Sequence, residues 1–280
     1  MIRLGGQGIS AIEDPYELAR AHKAFGYRSA YVPNKLSLND LDGVHKFREA
    51  FEREDILIAE CNAWGNMIDR DETRAKEMRR RVCEKLALAD EAGAQCTVNF
   101  IGTFLPDSRI GPHPKDLTQE AFDLTVEVVR EIVDTVKPKR AKFCLEMMQW
   151  EYPDSPESYL ALIKAVDRPG FGAHLDPCNI IVSPRMYYDT GSIIRRCFEL
   201  LGPWIVSCHA KDLVMRGTLA LHLDEILPGQ GNMDYRTYLS ELNRLPREIP
   251  LLIEHLKSPA EYAAARDYLK SVGKAVGIDL

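Results

Sequence analysis

Four short apolar runs, each closed by a side chain that can bind a metal ion, constrain this chain more than any other feature. Phe143-Cys144-Leu145 leads into Glu146, and Phe171-Gly172-Ala173-His174-Leu175 leads into Asp176. Trp204-Ile205-Val206-Ser207-Cys208 leads into His209, and Leu251-Leu252-Ile253 leads into Glu254. The spacings of 30, 33 and 45 residues fit one strand plus one helix per step, with one longer excursion. Recurrence at this pitch reads as parallel strands of an α/β barrel, where the C-terminal strand ends carry the chemistry. The four groups are expected to converge at one mouth.

The first half of the chain supplies four more strands. Residues 2–8 run into Gly5-Gly6-Gln7-Gly8, a tight exit turn that lacks the lysine and Ser/Thr of a phosphate loop. Strands are expected over 27–33, 56–61 and 96–101, the one over 56–61 leaving through Asn62-Ala63-Trp64-Gly65-Asn66. Helix starts lie between them: Asp14-Pro15, Asn39-Asp40, Asp71 and Thr118, then Ser155-Pro156 and Ser258-Pro259. Each places a capping side chain at the N-cap, three with proline behind it. Gly93 stops a long helix over 71–92. Residues 102–117 make a long loop on the presumed active face, and further helices are expected over 190–201 and 234–245. Eight strands, each followed by a helix and with no linker between them, give a (β/α)8 barrel in one domain, residues 1–280.

Bulk properties narrow the partners. With 45% hydrophobic residues, 280 residues can bury a large core, and a net charge of −6 argues against a nucleic-acid surface. The seven cysteines include no Cys-x-x-Cys pair, which points to buried thiols in a reducing, cytoplasmic setting. No stretch approaches the roughly 20 apolar residues a membrane span needs. A small-molecule substrate is expected, without nucleic acid or membrane.

Three carboxylates and one imidazole suit a hard or borderline divalent ion. Mn²⁺ comes first, with Mg²⁺, Co²⁺ or Zn²⁺ as alternatives. His209 needs its second ring nitrogen held by another group. Glu146 and Glu254 lie on strands separated by the other two ligands, so they reach a bound substrate from opposite sides. With the metal stabilising an enediolate, one glutamate removes a proton beside the carbonyl and the other returns one. Return to the same carbon gives epimerisation and return to its neighbour gives an aldose–ketose shift. Loss of a β-hydroxyl gives dehydration.

Leu145-Glu146, His174-Leu175-Asp176-Pro177, His209-Ala210-Lys211-Asp212, Pro228-Gly229-Gln230-Gly231 with Asp234-Tyr235, and Ile253-Glu254-His255 carry a resemblance. The chain resembles the xylose-isomerase-like TIM barrels, a broad group of sugar and sugar-phosphate isomerases and epimerases. The resemblance implies a single TIM barrel and one divalent ion on Glu146, Asp176, His209 and Glu254. In the group's ketose 3-epimerases the two glutamates are also the acid–base pair, and many members form dimers or tetramers. The chain departs from those epimerases at Asn179, where they carry histidine, and at Tyr152, where they carry a substrate-binding glutamate; Glu151 is adjacent. Arg216 lies near their substrate-binding arginine, out of register. The His-x-Lys-Asp signature also looks like inosose dehydratase. A sugar isomerase or epimerase is expected, with a lyase acting on a keto-sugar (a dehydratase, β-eliminase or decarboxylase) as the alternative.

Further substrate contacts are expected from Lys211, Arg216, His222, Trp64, Glu151 and His174. The last shares the side of Asp176 because strand side chains alternate with period two. By the same alternation His255 should point away from Glu254, toward the helices.

Overall fold

A computed structural model describes residues 1–280. Eight parallel strands close into a barrel: β1 (Ile2–Gly6), β2 (Ser29–Tyr31), β3 (Leu57–Glu60), β4 (Cys96–Asn99), β5 (Lys142–Leu145), β6 (Phe171–Leu175), β7 (Ile205–Ala210) and β10 (Ile249–Ile253), with β1 pairing β10. Helices α1 (Pro15–Ala24), α2 (Leu41–Arg53), α3 (Glu72–Ala92), α4 (Gln119–Val136), α5 (Pro156–Val166), α6 (Pro184–Tyr188), α7 (Thr190–Leu201), α8 (Tyr235–Arg244) and α9 (Pro259–Ala275) alternate with them. The main core lies between strands and helices. A small second group, Cys96, Val98 and Cys144, packs against Trp64.

The helix starts follow from local chemistry. Asp14 accepts from the Glu17 N–H at 2.8 Å, Asp71 from Thr73 at 2.9 Å and Ser155 from Ser158 at 3.2 Å. Each satisfies an amide that the helix leaves without a partner. Gly93 ends α3 with φ 76°, a left-handed conformation open to glycine at little cost.

Buried tyrosines fix the strand ends that carry the candidate ligands. On α5, the Tyr159 hydroxyl donates to the Leu145 carbonyl at 2.6 Å. It accepts from the backbone N–H groups of Leu145 and His174, both at 3.1 Å. His174 stands where the β6–β7 pairing shifts register. From α8, Tyr238 donates to the His209 carbonyl at 3.1 Å and Tyr235 to the Lys211 carbonyl at 2.7 Å. These bonds occupy backbone groups that the parallel ladder leaves over, and so set the direction of the side chains that follow.

One element departs from the sequence reading, which passes from the seventh strand straight to the helix over 234–245. Strands β8 (Asp212–Arg216) and β9 (His222–Ile226) form an antiparallel hairpin there, a separate two-stranded sheet at the mouth. Its second strand is mostly exposed or half-buried and has no apolar run to announce it. Asp212 anchors the return. It accepts from the N–H groups of Leu213, Gly229 and Met233 at 2.9 Å and of Gly231 at 3.1 Å. A Cβ on Gly231 would stand 2.2 Å from Asp212 Oδ1, so the Pro-Gly-Gln-Gly segment is a packing requirement of this anchor.

Candidate metal centre

Glu146, Asp176 and Glu254 each stand one residue beyond their strands, and His209 is the penultimate residue of β7. The structure brings the four together: one ligand atom from each lies within 4.8 Å of the others, and all four residues are buried. His209 Nδ1 is 3.0 Å from Glu254 Oε2, 3.3 Å from Glu146 Oε1 and 3.8 Å from Asp176 Oδ2. Lys211 Nζ stands in the same group, 2.9 Å from Asp176 Oδ2, 3.1 Å from Glu254 Oε2 and 3.6 Å from Glu146 Oε1.

These residues fit a divalent cation. Asp176 Oδ2 is fully buried and accepts no well-aligned hydrogen bond, although the Lys211 ammonium is near. Such an atom is costly unless something binds it. With His209 neutral, as it must be to bind a cation, three carboxylates against one ammonium leave two negative charges, the charge of a divalent ion. Burial alone would depress the Lys211 pKa, but the charges of Asp176, Glu146 and Glu254 outweigh it, so the amine stays protonated. For His209, burial again opposes the charged form. Glu254, with Tyr31 and Glu60, reverses the sign and, without a cation, raises the pKa well above the ordinary imidazole value; a bound cation would take the place of the Nδ1 proton.

The partner of the second His209 nitrogen is Glu60, at the end of β3. Its Oε2 lies 3.3 Å from His209 Nε2 and its Oε1 lies 3.2 Å from His174 Nε2, and it accepts a hydrogen bond from the Ser207 hydroxyl. Glu60 is fully buried, which would raise its pKa; the neighbouring charges of His209 and His174 pull it well below the usual carboxylate range. The ionised carboxylate calls for an N–H on His209 Nε2, leaving the Nδ1 lone pair for the ligand group. Glu60, His174 and His209 are also close enough to hold a cation together, but then Nε2 would lose this hydrogen bond.

Over the ligand group opens a cavity of about 400 Å³. Trp64 stacks on Phe100 in its wall, with ring centroids 5.7 Å apart, and Lys211 and Glu225 also line it. His255 lines it too, which corrects the expectation that it faces the helices. Glu254 lies beyond the end of β10 and His255 has φ 60°, so strand alternation has stopped by then. Its Nδ1 is 3.0 Å from both Glu225 oxygens and its Nε2 is 3.4 Å from Glu254 Oε2.

The other expected contacts lie elsewhere. Arg216 and His222 face each other across the hairpin, both paired with Asp224 at 2.7 and 2.9 Å. His174 is sealed beneath His209, with ring centroids 4.1 Å apart. Glu151 is fully buried outside the cavity lining. Its Oε1 accepts from the Gly102 N–H at 3.3 Å and its Oε2 has no partner. Burial pushes its pKa well above the carboxylate range, and the charges of Asp116 and Glu146 add to this against the opposing Gly102 hydrogen bond. A carboxyl with a raised folded pKa contributes its full stability below the unfolded value, near 4, and loses it as pH rises toward the folded value. Glu151→Gln is therefore expected to melt higher than the parent at pH 8, with the gap closing as pH falls toward 4. Parallel melting curves across that range would show that Glu151 is not held neutral.

The fold and the buried ligand group together define a (β/α)8 barrel with a candidate metal centre at its C-terminal mouth. The chain belongs to the xylose isomerase-like TIM barrel family, whose model matches residues 17–272. No curated protein matches by sequence. Among solved structures, a xylose isomerase-like TIM barrel protein from Mycobacterium smegmatis in complex with magnesium is 18% identical, TM-score 0.67, over 98% of this chain and 97% of that one. D-psicose 3-epimerase with D-tagatose from Clostridium cellulolyticum H10 is 13% identical, TM-score 0.67, over 96% and 99%. The probable 3-DHS dehydratase AsbF from Bacillus anthracis is 17% identical, TM-score 0.70, over 97% and 98%. At these identities the likeness is one of fold. No helix is long and apolar enough to cross a membrane.

Proposed function

We propose that this chain is a divalent-metal-dependent sugar isomerase or epimerase that moves a proton beside a carbonyl. The observation that carries the reading is the buried group of Glu146, Asp176, His209 and Glu254 under a cavity of sugar size. When bound there, the ion supplies Lewis-acid stabilisation of an enediolate oxygen. Glu146 and Glu254, from β5 and β10 on either side of β6 and β7, take the proton from one face of the substrate and return it from the other. Lys211, held protonated, donates a hydrogen bond to the oxygen that gains charge. Trp64 and Phe100 form an apolar wall against the carbon skeleton and keep water from the reacting face.

A lyase on the same residues is the second reading. The similarity to a probable dehydratase favours it, as does Lys211, a buried proton donor within reach of a leaving hydroxyl. We further propose a soluble cytoplasmic protein, one domain over residues 1–280, active as a dimer or tetramer.

Proton NMR of ketoses and keto-sugars in D₂O separates the readings, with Mn²⁺ added to the protein, EDTA in the control and the metal removed before spectra are taken. Deuterium uptake with a new isomer, abolished by EDTA, is expected. Metal-dependent loss of water or carbon dioxide moves the protein to the lyases, and turnover that survives complete metal removal overturns the metal-dependent reading.

A further inference from the structure

Resting on the reading above, the wall beside Glu254 carries substrate recognition one step further. His255 stands between β10 and α9 with φ 60°, a conformation that costs any residue bearing a Cβ. Lys137 and Asp167 share it as the residues that close α4 and α5, where helix ends favour it. His255 closes no helix. Backbone strain of this kind gathers at ligand-binding positions, held there by the surrounding structure. Here it turns the ring into the wall of the cavity over the ligand group. Two carboxylates then fix the ring. Both Glu225 oxygens lie 3.0 Å from Nδ1, which places the ring hydrogen there. Nε2 stands 3.4 Å from Glu254 Oε2, the oxygen that is also 3.0 Å from His209 Nδ1 and 3.1 Å from Lys211 Nζ. A carbon that gives its proton to Glu254 comes within about 3–3.5 Å of that carboxylate. Substituents on that carbon or the next one therefore meet the His255 ring and displace any water on it.

We propose that His255 is a substrate-binding residue whose Nε2 hydrogen-bonds a hydroxyl carried beside the carbon that Glu254 serves, with Glu225 as the positioning residue that aims the ring. The partner's chemistry follows from the imidazole. With Nδ1–H given to Glu225, Nε2 accepts when the ring is neutral and donates when it is charged. A hydroxyl answers either state, because it both donates and accepts; a carbonyl answers only the charged ring and an ammonium only the neutral one. Glu225 belongs to β9, so the hairpin enters substrate recognition through this pair.

Calorimetry of D-fructose, D-psicose, D-tagatose and D-sorbose at saturating Mg²⁺ tests this, using amide variants that each keep one ring nitrogen. An asparagine amide nitrogen overlays Nδ1, and a glutamine amide nitrogen overlays Nε2. For the ketose that the parent binds most tightly, His255→Asn, which tolerates left-handed backbone, is expected to weaken binding about threefold to tenfold, the range one hydrogen bond supplies. His255→Gln should recover part of the loss, and Glu225→Ala should fall between the parent and His255→Asn. His255→Gly, free of the backbone constraint, should melt at least as high as His255→Ala and bind as weakly as His255→Asn, which separates lost affinity from lost fold. Parental affinity in His255→Asn and His255→Gly overturns the proposal. So does parental affinity with turnover alone reduced, which would make His255 a positioning residue for Glu254. If the parent binds none of the four ketoses in a metal-dependent way, the sugar reading fails and takes this assignment with it. Metal-dependent binding that ignores His255 removes the assignment alone.

Discussion

Replacing Glu254 by glutamine is expected to lower turnover by about 10²–10⁴-fold, the usual contribution of a positioned acid–base group, with the protein still folded. Glutamine keeps the side-chain length and an amide oxygen that can face the cation, but cannot accept a proton. Glu254 borders the cavity. Burial favours its neutral form, yet the charges of His209 and Lys211 overcome this and hold its carboxyl below the ordinary range, so it stands ionised in the absence of a cation. The same substitution at Glu146 should be equally damaging, because a two-face transfer needs both groups. Isomer formation at saturating Mn²⁺ is the proper readout, since saturation separates lost proton transfer from weakened metal binding and, unlike solvent exchange, the isomer requires both bases. Isomer formation at more than a tenth of the parental rate in either variant would refute the pairing of the two glutamates.

Glu60→Gln carries the second large effect, a loss of about 10–100-fold in metal affinity, the usual cost of removing the carboxylate behind a metal-binding histidine. The parent carboxylate can only accept, so it places the His209 hydrogen on Nε2. A glutamine can turn its NH₂ toward Nε2 instead, which moves the ring hydrogen to Nδ1, among the carboxylates 3.0 and 3.3 Å away. Mn²⁺ titration followed by the rise in melting temperature measures the loss through linkage. Glu60→Asp, which keeps the charge, should recover part of it. Parental affinity in Glu60→Gln would mean that Glu60 stabilises the barrel interior without directing His209.

Much of this was legible in the sequence because two signals coincide at each strand end. An apolar run marks the strand, and the first polar residue after it marks the mouth, which placed Glu146, Asp176, His209 and Glu254 correctly in space. Glu60 carries the same signature, following Ile56-Leu57-Ile58-Ala59, yet it lies outside the 30-to-45-residue series that drew attention to the others. The hairpin stayed hidden because its half-exposed strands obey no burial periodicity. Arg216 and His222 looked like substrate contacts by proximity to the motif, and the antiparallel register gives both of them to Asp224. His255 shows where alternation fails as a guide, since the rule ends with the strand and a single left-handed residue turns the side chain back to the cavity.

The hairpin's independence from the barrel bears on how such a protein can diversify. Its ladder closes on itself, from Asp212 opposite Ile226 to Arg216 opposite His222, while Asp212 pins its base. Beyond that base, Leu221 and Leu223 can change, or the turn can lengthen, without disturbing a barrel hydrogen bond. Yet Glu225 stands in the wall of the cavity over the ligand group, and Asp224 lines an adjoining one. Selection acting on this one segment could retune which molecules are admitted while the buried ligand group beneath is inherited unaltered, a division of labour that lets the range of bound molecules change without rebuilding the barrel floor.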